Sequence, residues 1–268
     1  MDCITLNTGA ALPRIGLGVY QVPPQEAYAA VRHALAAGYR HVDTAQFYAN
    51  EAEVGRAVRD SGVPREQVFV TTKLWNDEQR EGRVEPAFET SVQRLGLGPP
   101  DLFLLHWPVP VQRLAAWKVL EGLYRAGRVR AIGVSNFMVP HLDELLDRAE
   151  VVPAVNQIEV SPFLQQRAVR ERCARHGIVV QAYSPLTKGE RLNHRVITRI
   201  AQRLGRSNAQ VMLRWGLQRG VVVLPKSVHP DRIAANFDLW TFDLGFADMT
   251  TLDALEENLV TGWNPQRV

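Results

Sequence analysis

Cysteine is almost absent from this 268-residue chain. Cys3 and Cys173 are the only two, far apart and outside any C-x-x-C pattern. That excludes a disulfide framework or a zinc knuckle and fits a reducing compartment, so a cytoplasmic location is expected. No run approaches the roughly 18 apolar residues of a membrane span, and the opening MDCITLNTGAALPRIGLG has no basic stretch followed by an apolar one. A soluble, unprocessed chain with no membrane partner is therefore expected. The seven histidines, His33, His41, His106, His141, His176, His194 and His229, include no H-x-H pair. A metal-dependent barrel hydrolase thus lacks its ligand cluster, and no metal is expected. Neither sign of charge dominates, since 31 Lys and Arg face 28 Asp and Glu and the net +3 is scattered. Without a basic stripe, nucleic acid is not an expected partner. A G-x-G-x-x-G turn is also missing: Gly16-Leu17-Gly18 is followed by Val, Tyr and Gln, which argues against a Rossmann dinucleotide site.

What is present is alternation. With 46% hydrophobic residues the chain can bury one sizeable core, and no linker or composition break divides it, so a single domain over 1–268 is expected. Short apolar, β-branched runs occur at 15–19, 41–44, 68–73, 102–106, 131–135, 155–159, 179–183 and 221–225. Between them lie stretches of helical period at 25–37, 52–60, 81–95, 114–126, 139–149, 166–176 and 208–218. Gly38, Gly62, Gly96, Gly127, Gly177 and Gly220 follow helical stretches where a left-handed stop is wanted. Eight parallel strands joined by crossover helices predict a (β/α)8 TIM barrel in the α/β class. Residues 3–6 and 11–14, joined by Asn7-Thr8-Gly9, predict an N-terminal β-hairpin plugging one end.

Such a barrel does its chemistry on the loops at the carboxyl ends of its strands. Four polar residues fall there: Asp43 ends the second strand, Tyr48 follows it, Lys73 ends the third and His106 ends the fourth. Singly, each has an ordinary reading as cap, surface charge or packed ring; as a set on one face they point to proton transfer. An ammonium at Lys73 stabilises a phenolate, which predicts a Tyr48 pKa drawn down toward working pH so that Tyr48 serves as general acid. Asp43 pairs with Lys73, and a neutral His106 orients a carbonyl oxygen.

Longer motifs surround these residues: GYRHVDTAQFYANE at 38–51, TKLW at 72–75, LLHWP at 104–108, IGVSNF at 132–137, NQIE at 156–159, AYSPL at 182–186 and LPKSV at 224–228. In that order and spacing, over nearly the whole chain, the sequence resembles the aldo-keto reductases. The resemblance implies hydride transfer between a nicotinamide and a carbonyl, with Asp43, Tyr48, Lys73 and His106 as the catalytic tetrad. It places Ser135, Asn136 and Gln157 at the nicotinamide carboxamide, Tyr183 stacked on the ring, and Ser184, Leu186 and Asn236 elsewhere along the cofactor.

A phosphate site can also be read directly. Lys226-Ser227-Val228-His229-Pro230-Asp231-Arg232 sets two cations and a hydroxyl before a helix start. With the resemblance, Lys226, Ser227 and Arg232 imply the 2′-phosphate of NADP(H). Ala235 before Asn236 departs from the acidic residue many relatives carry, which implies one adenine contact fewer. Tyr20, Phe47, Trp75 and Trp107 are expected to line a substrate pocket. The short stretch after Tyr183 and the brief tail beyond Trp263 resemble the compact bacterial members of the family, including the 2,5-diketo-D-gluconate reductases. That implies an open pocket for small, varied carbonyl compounds and a monomer. The other reading is a cofactor-binding regulatory subunit without turnover; the intact tetrad and the lack of an extra interaction segment weigh against it.

Overall fold

The structure is a computed structural model that describes residues 2–265. Met1 and residues 266–268 of the expected domain lie outside the described residues. The chain opens with the antiparallel hairpin β1 (Cys3–Thr5) and β2 (Ala11–Pro13). Eight parallel strands follow in sequential order: β3 (Leu17–Gly18), β4 (His41–Asp43), β5 (Phe69–Leu74), β6 (Leu102–Leu105), β7 (Ala131–Ser135), β8 (Val155–Glu159), β9 (Val179–Tyr183) and β10 (Val222–Val223). The sheet closes on itself. Ile15, just before β3, bridges in parallel to Val223 of β10, and the Gly16 and Gly18 amides donate to Val223 and Pro225 carbonyls at 3.0 Å. The fold is a (β/α)8 barrel with an N-terminal hairpin.

The helices cover the outside: α1 (Pro24–Ala36), α2 (Glu51–Asp60), α3 (Asn76–Arg80), α4 (Val84–Leu95), α5 (Arg113–Arg125), α6 (Val139–Leu146), α7 (Arg167–Arg175), α8 (Arg195–Leu204), α9 (Asn208–Gln218), α10 (Pro230–Phe237) and α11 (Phe246–Asp253). All six glycine stops take positive φ, from 58° to 107°. The helix expected over 81–95 runs from Val84 to Leu95, and a short helix not expected, Asn76–Arg80, precedes it. Gly82 at φ 67° ends the shorter one, and Pro86 sits in the first turn of the longer, where its missing N–H costs no bond. The helix at 246–253 is not among those expected; it is only eight residues long, buries just Met249 and Leu252 and carries two β-branched threonines. No helix among the described residues is long and apolar enough to cross a membrane.

The period of two along each strand decides which side chains reach the barrel interior. In β6, Phe103 and Leu105 pack outward under the helices, while Leu102 and Leu104 join an inner cluster with Leu6, Ala10 and Leu12 of the hairpin. In β5 the same alternation puts Phe69, Thr71 and Lys73 inside; in β8 it puts Val155, Gln157 and Glu159 inside. Both faces of these strands are buried, and β6 (LFLL) accordingly reads as a continuous apolar run, while β5 and β8 carry buried polar side chains. The hairpin seals the amino-terminal mouth, held by Asn7 Nδ2 donating to the Val152 and Pro153 carbonyls. Polar inward residues therefore collect at the opposite end.

Candidate active site

Lys73 is fully buried, and its ammonium has three partners: Asp43 Oδ1 at 2.6 Å, the Thr44 carbonyl at 2.9 Å and Tyr48 Oη at 3.3 Å. Tyr48 reaches this point on a one-turn 3-10 helix, Gln46–Tyr48, terminated by Ala49 at φ 53°. That turn is pinned from two sides. Gln46 bonds the Ala87 carbonyl, Ser91 Oγ and the Trp75 amide. Buried Asn50 accepts from Thr44 Oγ1 and donates to the Val19 and Val22 carbonyls. Asp43 is steadied on its far side by Gln157 Nε2 at 2.7 Å, which also donates to Gln181 Oε1 at 2.9 Å. His106 meets Tyr48 edge-to-face, ring centroids 5.6 Å apart, and its buried Nδ1 has no partner among the described residues.

Burial governs the electrostatics. It pushes Asp43 up and Lys73 down, and in each case the charge of the other pulls back. His106 is held well below the usual imidazole range by burial and then by the Lys73 charge, so it is neutral near pH 7. Tyr48 corrects the expectation drawn from Lys73 alone. Its phenol lies well above its ordinary value, first because burial disfavours the phenolate and second because the Asp43 carboxylate faces it. The protonated phenol is thus the resting form.

These groups stand at the bottom of a cleft of about 1170 Å³. Asp43, Tyr48 and His106 line it, and Lys73 lies behind them. All ten residues expected along the cofactor, Ser135, Asn136, Gln157, Tyr183, Ser184, Leu186, Lys226, Ser227, Arg232 and Asn236, line the same cleft. So do Tyr20, Phe47, Trp75 and Trp107. Tyr183 Oη donates to Asn136 Oδ1 at 2.8 Å, and Asn136 Nδ2 donates to the His106 carbonyl at 2.9 Å, which ties the end of β7 to the end of β6. Asn136 takes φ 66°, a conformation asparagine tolerates. At the far end of the cleft Lys226 and Arg232 are exposed and form no ion pair among the described residues, unlike most arginines here. Ser227 Oγ accepts the His229 amide just before α10.

A sequence profile described as the Aldo/keto reductase family matches residues 14–257. The chain belongs to the aldo-keto reductase family. It is 48% identical to an aldo-keto reductase of Mycolicibacterium smegmatis over 98% of this chain and 96% of that protein. Against the glyoxal reductase of Bacillus subtilis it is 45% identical, over 100% of this chain and 97% of that one. Among solved structures it superposes with a TM-score of 0.94 and 39% identity on MGS-M4, an aldo-keto reductase enzyme from a Medee basin deep-sea metagenome library, covering 100% of this chain and 99% of that one. The chain is accordingly an oxidoreductase of carbonyl compounds that uses a nicotinamide cofactor.

Several residues of this aldo-keto reductase's site are not among those expected from the sequence. Gln46 and Asn50, which fix the Tyr48 turn, lay inside a recognised motif, but nothing in their spacing announces a bond to a distant carbonyl. Trp263 was left outside the pocket, yet its ring lies 5.7 Å from Trp107, 6.3 Å from Trp75 and 6.2 Å from Phe47. Thr261, Gly262 and Trp263 line the same cleft.

Proposed function

We propose that this protein, as one domain over 1–268, is an NADPH-dependent reductase of small aldehydes and ketones, with Tyr48 as general acid. The observation that carries the reading is the triple engagement of the Lys73 ammonium, which sets Asp43, Thr44 and Tyr48 around one buried charge at the floor of the cleft. NADPH, when bound, supplies the hydride that reduces the carbonyl carbon. His106, neutral and at the cleft, donates a hydrogen bond to the carbonyl oxygen and orients it. Tyr48 Oη gives its proton to that oxygen as the carbon–oxygen double bond becomes an alcohol. Its raised pKa suits this step, because the developing alkoxide is more basic than the phenolate left behind. The Lys73 ammonium then stabilises that phenolate, and Asp43 and the Thr44 carbonyl keep the ammonium in place.

The cleft fits the cofactor. Lys226 and Arg232, which form no ion pair among the described residues, line it with Ser227 and suit the 2′-phosphate, and Ser135, Asn136, Gln157 and Tyr183 line it with the tetrad. Similarity to a glyoxal reductase supports a small carbonyl substrate. Mixing the purified protein with NADPH and a panel of aldehydes and following nicotinamide absorbance tests the reading. Carbonyl-dependent oxidation is expected; binding of NADPH with no turnover on any carbonyl would instead mark a regulatory subunit. Lys226→Ala or Arg232→Ala should weaken NADPH by about 10- to 100-fold, the loss of one charge-assisted phosphate contact, and NADH far less. Equal losses for both cofactors would remove the phosphate assignment.

A further inference from the structure

Gln157 and Glu159 lie two residues apart on β8 and so share its inward face. Gln157 serves the tetrad, while Glu159, nearer the mouth and only 4% exposed, serves another segment. Its carboxylate has no ion-pair partner among the described residues. It accepts instead from the Thr261 amide at 3.0 and 3.2 Å, the Gly262 amide at 3.3 Å and, by a short bond, Thr261 Oγ1. From the other side Lys188 Nζ donates to the Thr261 carbonyl at 2.7 Å. A buried carboxylate is costly unless its oxygens are hydrogen-bonded, so satisfying this charge ties Thr261 and Gly262 to the barrel, beside the Lys188 bond and the Glu257 and Leu259 amides that donate to the Phe163 carbonyl. The residue so delivered is Trp263, whose ring faces Trp107 and the stacked pair Phe47–Trp75, centroids 4.0 Å apart at 17°.

We propose that Glu159 is a positioning residue that sets substrate specificity: it holds Thr261 and Gly262 so that Trp263 forms the outer wall of the substrate pocket. A carbonyl compound with an aromatic ring reaches this wall, and a two-carbon aldehyde does not. The proposal rests on the reductase reading given above. The test compares wild type, Glu159→Ala, Glu159→Gln, Trp263→Ala and the Glu159→Ala/Trp263→Ala double variant, using naphthaldehyde and glyoxal with NADPH. In Glu159→Ala the KM for naphthaldehyde should rise roughly 2- to 10-fold, the size of one lost aromatic pair, with kcat retained and glyoxal kcat/KM little changed. Glu159→Gln keeps one acceptor oxygen and should recover part of the loss. The double variant should be no worse than Trp263→Ala, because the two act through one contact. Parallel losses of kcat on both aldehydes, additive losses in the double variant, or an unchanged naphthaldehyde KM would each overturn the proposal. If wild type reduces neither aldehyde, the reductase reading fails separately. Amide exchange at Thr261 and Gly262 then decides the latch: faster exchange in Glu159→Ala supports it, and unchanged exchange overturns it.

Discussion

The two mouths of the barrel are built from the same eight strands, yet they bury opposite kinds of group. At the amino-terminal mouth Leu6, Ala10 and Leu12 of the hairpin pack on Phe69, Leu102, Ala131, Val155, Val179 and Val222, a dry apolar layer. Two to four residues further along β5, β7 and β8 the inward positions are Lys73, Ser135 and Gln157, joined by Asp43 at the end of β4, all buried and cross-linked by hydrogen bonds. One end spends its burial on stability, and the other puts charged groups where water cannot screen them. The contrast explains why Tyr48 keeps its proton and His106 stays neutral: desolvation, not the neighbouring ammonium, is the larger influence on both.

If the contrast is right, the two ends should fail differently. The largest effect is expected at the catalytic mouth from Lys73→Met. It strands Asp43 as an uncompensated buried charge, costing about 3–5 kcal/mol in denaturant unfolding, and it lowers turnover by more than about 100-fold. Next comes Leu12→Ala at the plug, where the side chain is fully buried. Unfolding should show a loss of about 2–5 kcal/mol, with KM and kcat near wild type below the melting range. A kinetic defect in Leu12→Ala would mean the mouths are not separable.

A smaller effect concerns His41, a buried interior residue whose Nε2 lies 3.1 Å from Thr71 Oγ1. Burial, and then the Lys73 charge, holds its pKa down at about 3. The unfolded imidazole takes a proton near pH 6.5 while the folded one does not, so stability falls as pH drops below about 6.5 and continues to fall toward pH 3. His41 alone should cost about 2 kcal/mol by pH 5, and thermal melts of His41→Gln should show a shallower pH slope than wild type. His106 acts with the same sign. A wild-type stability that is flat from pH 7 to 5 would contradict both.

Much of this was legible from residues alone. Strand positions followed from β-branched runs, and the convergence of Asp43, Tyr48, Lys73 and His106 followed from their places at strand ends. The cleft-lining position of Lys226, Ser227 and Arg232 was legible only with the family resemblance, because two cations around a helix start are as often plain solvated charges. Three things were hidden for physical reasons. The shift of Tyr48 depends on how much water its ring loses, a property of the assembled cleft. The helix Phe246–Asp253 is only eight residues long, too short a window for its spacing of Phe246, Met249 and Leu252 to stand out. Trp263 lies in an irregular tail, which bonds to residues far away in sequence, among them Glu159, Phe163 and Lys188, hold at the mouth.

The most direct test of Tyr48 as proton donor is single-turnover oxidation of NADPH by an aldehyde, compared in wild type and Tyr48→Phe. NADPH affinity is followed in parallel by fluorescence. The expected result is a fall of about 100- to 10,000-fold in the rate of the chemical step with NADPH binding unchanged, the contribution of one positioned acid. Tyr48→Phe reducing aldehyde at the wild-type rate would contradict it.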